Sequence, residues 1–176
     1  MSIHQADQGK SIVWNSAKDL DWDALYADQM PRVYNYFRFR LGRHTDIEDL
    51  TSRTFEKAWR ARAAYRNDLA AFSTWLFRIA QNVGTDYLRS KRSHVPLEEV
   101  PEIAAVGTPQ EVAEQDSDLE KLGRLTTQLT ERERELIALR YGGDINNRLI
   151  AKLTGLSESN VGVILHRAVQ TLKTQW

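Results

Sequence analysis

Apolar side chains recur along this chain at intervals of three, four or their sums, the spacing of amphipathic helices. The first such stripe, Trp22, Leu25, Tyr26, Val33, Phe37 and Leu41, predicts a helix from near Asp21 to Leu41 with Gly42 as its stop. Pro31 lies inside it and lacks the N–H that would close one helical hydrogen bond, so a kink or a break into two helices is expected there. Thr45 and Glu48 have capping-box spacing and launch a second helix through Ile47, Leu50, Phe55, Ala58 and Trp59 to about Tyr65. After the polar turn Arg66-Asn67-Asp68, a third stripe of Phe72, Trp75, Leu76, Ile79, Val83 and Tyr87 ends in the basic run Arg89-Ser90-Lys91-Arg92. Three helices of this length can close a core among themselves, and the Trp75 ring is assigned to it.

The pattern then lapses. Residues 93–118 hold three of the four prolines, seven acidic residues and no basic one, which reads as a linker. Fully extended at about 3.5 Å per residue, it would span on the order of 90 Å, enough for its two ends to act at separate places. Residues 1–18 lack sustained periodicity and read as a flexible leader.

A second helical block begins with Leu119, Leu122, Leu125 and Leu129. Thr130 and Glu133 repeat the capping-box spacing, and the helix they start runs through Leu136, Ile137 and Tyr141 until Gly142-Gly143-Asp144 breaks it. A short helix from about Asn147 to Thr154, the turn Gly155-Leu156-Ser157 and a longer helix to near Gln175 complete the chain. The expected fold is all-α, with two small helical domains at residues 19–92 and 119–176 joined by a flexible acidic linker.

Charge sharpens this division. The formal net charge is zero, but residues 1–92 carry 15 basic against 11 acidic side chains and residues 119–176 carry 9 against 6. Two mildly basic blocks flank an acidic connector, as suits modules that face a polyanion. There is no Cys, and His4, His44, His94 and His166 are scattered, which leaves no metal cluster, cofactor site or nucleophile and base pair to support an enzyme. No uncharged run approaches the roughly 18 residues of a membrane span, and we expect a cytoplasmic protein without membrane insertion.

A short helix, a glycine turn and a second helix opened by a Ser N-cap form a helix-turn-helix, whose second helix enters the DNA major groove. Ile150, Ala151, Leu153, Leu156, Val161 and Leu165 would hold the pair together. Ser159, Asn160, Val163, His166 and Arg167 fall on the outer face, with Ser157 and Arg148 beside them. Asn and Arg pair bidentately with adenine and guanine edges, whereas Ser hydroxyls and N-terminal amides take phosphate.

The stretch IEDLTSRTFEKAWRARAAYRNDLAAFSTWLFRIAQNVGTDYLRSKR resembles the second conserved region of extracytoplasmic-function (ECF) sigma factors, and LTERERELIALRYGGDINNRLIAKLTGLSESNVGVILHRAVQTLK resembles their fourth. The resemblance implies a transcription initiation factor whose first domain melts the −10 promoter element and grips the clamp of core RNA polymerase, while the second reads the −35 element beside the flap. It places Asp49, Leu50, Arg53 and Trp59 at the polymerase contact. It places Arg66, Asn67 and Asp68 where an unstacked base is captured, and Arg78, Asn82, Arg89, Lys91 and Arg92 along the phosphates of the −10 element. An anti-sigma factor is a further implied partner. Ser52-Arg53 and Gly162-Val163-Ile164 depart from the family pattern, the latter by removing two polar donors from the reading helix. That apolar stretch sustains a second reading, a sigma-like decoy that binds an anti-sigma factor without directing transcription.

Overall fold

The computed structural model of the chain describes residues 21–42, 46–67, 70–94, 121 and 125–176, and among these every regular element is helical. Among the described residues the α-helices with bounds are α1 (Trp22–Leu41), α2 (Ile47–Arg60), α3 (Phe72–His94), α4 (Glu131–Ile137), α5 (Asn147–Thr154) and α6 (Glu158–Gln175). The leader 1–18, most of the linker 93–118, Leu119, Leu122, Thr45 and Asp68 lie outside the described residues.

Helix α1 passes through Pro31 without a break. Proline inside a helix costs roughly 3 kcal/mol, but Val33, Tyr36 and Phe37 on the following turns are fully buried, and each such burial returns about 1.5–3 kcal/mol. Tertiary packing wins over local propensity here. The helix begins where Asp21 caps the Ala24 N–H at 3.0 Å, and it ends at Gly42, whose φ of 74° a side chain would resist.

Helix α2 starts at Ile47 with Asp46 in the N-cap position and no side-chain cap, one residue beyond the expected start. It stops at Arg60, followed by a single 3₁₀ turn over Arg62–Ala64, so the expected continuation to Tyr65 is not helical. Helix α3 is longer than expected and runs on to His94. Gly84 within it leaves the space filled by the Arg40 guanidinium, since a methyl group there would sit 2.6 Å from Arg40 Nη1.

The second unit follows its sequence signals closely. Thr130 and Glu133 form the full capping box, each side chain bonded to the other's backbone N–H. Beyond Ile137 the helix widens into a π-type turn over Ala138–Gly142, closed by Gly143 N–H to the Ala138 carbonyl at 2.8 Å.

The two units pack face to face. Tyr36, Phe37, Leu76 and Phe77 of the first share one continuous apolar core with Leu136, Ile137, Leu139, Ile145 and Ile150 of the second. Gly142 and Gly143 sit at this junction. A methyl group on Gly142 would lie 2.7–2.8 Å from the Asn35 carbonyl oxygen and the Tyr36 backbone, and one on Gly143 would lie 2.6 Å from the Phe77 ring.

Candidate nucleic-acid interface

Helices α5 and α6 form the helix-turn-helix. Asn146 caps α5 by accepting the Leu149 N–H at 3.0 Å. Gly155 takes the left-handed conformation (φ 73°, ψ 12°), and its N–H closes on the Ala151 carbonyl, the terminus that glycine favours. Ser157 then caps α6, its Oγ accepting the Asn160 N–H at 3.2 Å. Ile150, Leu153, Val161 and Leu165 are buried between the two helices and α4, with Ala151 and Leu156 at the margin.

This packing fixes which face of α6 is outward. Ser159, Asn160, Val163, His166 and Arg167 are all exposed, as is Arg148 on α5. Ser157 is exposed too, but its oxygen is engaged as the cap and also lies 3.2 Å from Ser159 Oγ. Its cap sets where α6 begins. Val163 keeps 48% of its surface in solvent in the middle of the polar face, where an apolar side chain suits a thymine methyl. A methyl group on Gly162 would meet only Asn147 Nδ2, at 3.9 Å, so the core does not demand glycine there.

On the first unit, two hydrogen bonds tie Ala70, just before α3, to Tyr65 and Arg66 after the 3₁₀ turn. Tyr65 Oη donates to the Ala70 carbonyl at 3.1 Å, and Ala70 N–H donates to the Arg66 carbonyl at 3.3 Å. Burial raises the pKa of the Tyr65 hydroxyl, which keeps it a donor. Arg66 and Asn67 project from this frame and are exposed.

Beside it lies an aromatic cluster that the sequence reading missed as a surface. Tyr65, Phe72, Trp75 and Trp22 meet with ring centroids 5.0–6.4 Å apart, and Trp59 joins through Trp22 at 5.5 Å. Trp75 is therefore only partly buried, which corrects its assignment to the interior. Trp59 is half exposed, and the Arg62 guanidinium lies 4.0 Å from the centroid of its ring. The density of aromatic residues on both sides of the turn is the signal that would have found this surface.

Along α2, Asp49 and Arg53 are exposed and 3.9 Å apart as an ion pair. Leu50 is fully buried, so its expected contact with a partner is corrected to a packing role beneath that pair. Along α3, Asn82 is exposed. Arg89 pairs with Asp86 at 3.8 Å, and Lys91 pairs with Asp46 at 3.6 Å. Tyr87 Oη also donates to Asp46, and burial together with that carboxylate pushes its pKa up. Two α3 cations point instead at the second unit. Arg78 donates to the Leu153 and Lys152 carbonyls at 3.2 and 3.1 Å, and Arg92 Nη2 lies 2.8 Å from Glu131. Among the described residues no three His, Asp or Glu side chains gather as a metal site, and no helix is long and apolar enough to cross a membrane.

Residues 25–94 match the family description Sigma-70 region 2, and residues 119–172 match Sigma-70, region 4. The chain is 30% identical over 155 residues to the ECF RNA polymerase sigma factor SigM of Bacillus subtilis, covering 86% of this chain and 92% of SigM. It is 29% identical over 153 residues to the ECF RNA polymerase sigma factor BldN of Streptomyces coelicolor, covering 84% of this chain but 57% of BldN. In fold it resembles CnrH in complex with the cytosolic domain of CnrY (TM-score 0.67, 22% identity, 90% of each chain). It likewise resembles the sigma factor RpoE in complex with the anti-sigma factor NepR from Bartonella quintana (TM-score 0.69, 20% identity, 88% of this chain and 96% of that one).

Proposed function

The chain belongs to the extracytoplasmic-function branch of the sigma-70 family of RNA polymerase sigma factors, and from that premise we propose how its two units divide the work of promoter recognition. Residues 19–92 form the unit that engages the −10 element and the polymerase clamp, and residues 119–176 form the unit that reads the −35 element. Residues 93–118 connect them, and residues 1–18 are a leader.

The observation that carries this reading is the outward face of α6, where Ser159, Asn160, Val163, His166 and Arg167 are exposed together behind a helix start set by Gly155 and Ser157. Held in a major groove, such a face reads base edges through Asn160 and Arg167 and thymine methyls through Val163. Arg148 and the N-terminal amides of α6 would take phosphate.

On the first unit, Arg66, Asn67 and Asp68 would receive a base flipped from the opened strand, with the partly exposed ring of Trp75 nearby to stack against. Unstacking a base costs a few kcal/mol unless such partners are supplied. Asn82, Arg89, Lys91, Arg92 and Arg78 would hold the adjoining phosphates, each adding to the salt dependence of binding. Asp49, Arg53 and Trp59 form the exposed strip offered to the polymerase clamp, with Leu50 fixing its geometry from beneath. The protein then acts in the cytoplasm as an initiation factor and has no catalytic centre of its own. An anti-sigma factor is a fitting regulatory partner, since RpoE, which shares this fold, is found in complex with one.

Run-off transcription with core polymerase tests the reading. Promoter-specific transcript that depends on this chain is the expected result. Core binding without any transcript would favour the decoy, for which the apolar Gly162-Val163-Ile164 stretch is the supporting feature.

A further inference from the structure

We infer that the start of α1, the end of α2 and the start of α3 enclose a binding site for a small organic cation, an alkylammonium or guanidinium head. The site goes beyond the promoter and polymerase contacts proposed above and shares only Trp59 with them.

Trp22, Asp23, Tyr26, Phe55, Trp59 and Phe72 line a half-open cavity of about 250 Å³. Five of these six side chains are aromatic, and they meet edge to face. Trp22 stands at 88° to Trp59 and at 80° to Phe72, with centroids 5.5 Å apart in each pair, and Tyr26 stands at 60° to Phe55 at 4.7 Å. Rings that cross at such angles leave part of each face uncovered, and an aromatic face is the negative side of its quadrupole. Tyr26 and Trp59 keep 51% and 50% of their surface in solvent, so the cluster forgoes stabilisation that a closed core would have gained. Drug-sized ligands occupy roughly 300–1,000 Å³, and a cavity below that range suits a single head group.

Charge selects the guest. Asp23 is the charged member of the lining, is exposed and, among the described residues, engages neither a cation nor a donor. Its place in the first turn of α1 suits the helix dipole, which accounts for the carboxylate but not for the rings around it. No Lys or Arg lines the cavity: nearby in the chain, Arg60 is held by Glu56 at 2.5 Å, and Arg62 donates to the Trp59 carbonyl at 2.7 Å. A nucleotide would stack on the same rings, but it carries a phosphate that this lining has no cation to receive. A cation suits both the rings and the carboxylate. The Arg62 guanidinium, 4.0 Å from the centroid of the Trp59 ring, already makes this kind of contact on the face of the indole turned away from the cavity.

Choline and its uncharged isostere, with carbon in place of the quaternary nitrogen, share a shape and differ in charge. Both can be titrated into the full chain at constant ionic strength and followed by the indole N–H resonances. Choline should shift Trp22 and Trp59 and leave Trp176, an exposed indole on the other unit beside Lys121, in place. The isostere should bind about tenfold more weakly, the scale of a partly desolvated cation–π contact. Asp23→Asn should weaken choline several-fold and leave the isostere unchanged. Trp59→Ala, with helicity retained by circular dichroism, should abolish the preference for the cation.

Equal affinity for choline and its isostere would reduce the cavity to an apolar gap and overturn the inference. No shift at Trp22 and Trp59 in millimolar choline would overturn it as well, as would adenosine monophosphate binding as tightly as choline. Core polymerase then identifies the source of the head group. Displacement of the chain from core polymerase by choline assigns the cavity to a cationic side chain of the polymerase, and undiminished association assigns it to a free small molecule. Failure of the chain to bind core polymerase at all would overturn the proposed function instead and leave the choline result standing.

Discussion

Arg40 Nε lies 2.5 Å from Glu135 Oε2, with the two side chains only 7% and 12% exposed. The approach is one of charge rather than of an aligned hydrogen bond, and no other donor reaches Oε2. Removing one member of such a pair strands the other charge away from water. Glu135→Ala should therefore cost about 3–5 kcal/mol in urea unfolding of the whole chain, whereas replacing both residues with Leu should cost much less. Equal losses for the single and double replacements would place the stabilisation elsewhere.

The aromatic residues of α3 divide into interior and rim, and their replacements should differ accordingly. Phe77 is fully buried against Tyr36 at 5.6 Å, and Phe77→Ala should destabilise by about 3–5 kcal/mol. Trp75→Ala should fall below that range, because its ring is partly exposed in the cluster with Tyr65 and Phe72. If the ring stacks an unpaired base, the folded Trp75→Ala protein will also be slow to open promoters, which a fluorescent-base melting assay would show.

At the start of α4, Thr130→Ala removes the hydroxyl that accepts the Glu133 N–H at 3.3 Å and donates to Glu133 Oε2 at 2.8 Å, while the backbone N–H of residue 130 keeps its bond to Glu133. A loss of about 1 kcal/mol is expected. Thermal unfolding of Thr130→Ser alongside it should recover most of that loss, as the hydroxyl rather than the methyl group makes the cap.

Arg167→Ala should weaken promoter binding by about 1–3 kcal/mol and relax preference at one base position if the guanidinium reads a guanine. Affinity measured over a library of −35 variants distinguishes this from a phosphate contact, which would weaken all sequences alike and reduce the salt slope.

Arg92 donates a hydrogen bond to Glu131 and thereby holds its carboxyl below the ordinary value. For a carboxyl lowered in the folded state, the stabilisation is fully present above the unfolded pKa, about 4.3, and is lost as pH falls through the lowered value. Urea midpoints of the parent chain and Glu131→Gln should therefore differ at pH 6 and converge towards pH 3. The pair is largely exposed, so the difference will be small and will shrink with added salt.

Local signals determined much of this protein from its sequence. Asp21, Thr130, Gly155 and Ser157 each mark a helix end through a bond or dihedral that depends only on near neighbours. The period of Ile150, Leu153, Val161 and Leu165 likewise dictated which side of α6 faces outward, because a short two-helix unit has one way to bury that stripe.

Tertiary structure alone decided the rest. Pro31 could stay within one helix only because residues distant in sequence bury the turns after it. Gly142-Gly143 read as a helix breaker, which it is, but Gly142 also makes room for the backbone of α1 more than a hundred positions earlier, and Gly143 for the Phe77 ring of α3. Arg78 and Arg92 read as free cations, yet their partners sit on the opposite unit. Spacing along a chain encodes contacts within a turn or two. It holds no record of which surfaces two units, each able to close its own helices, will choose to press together.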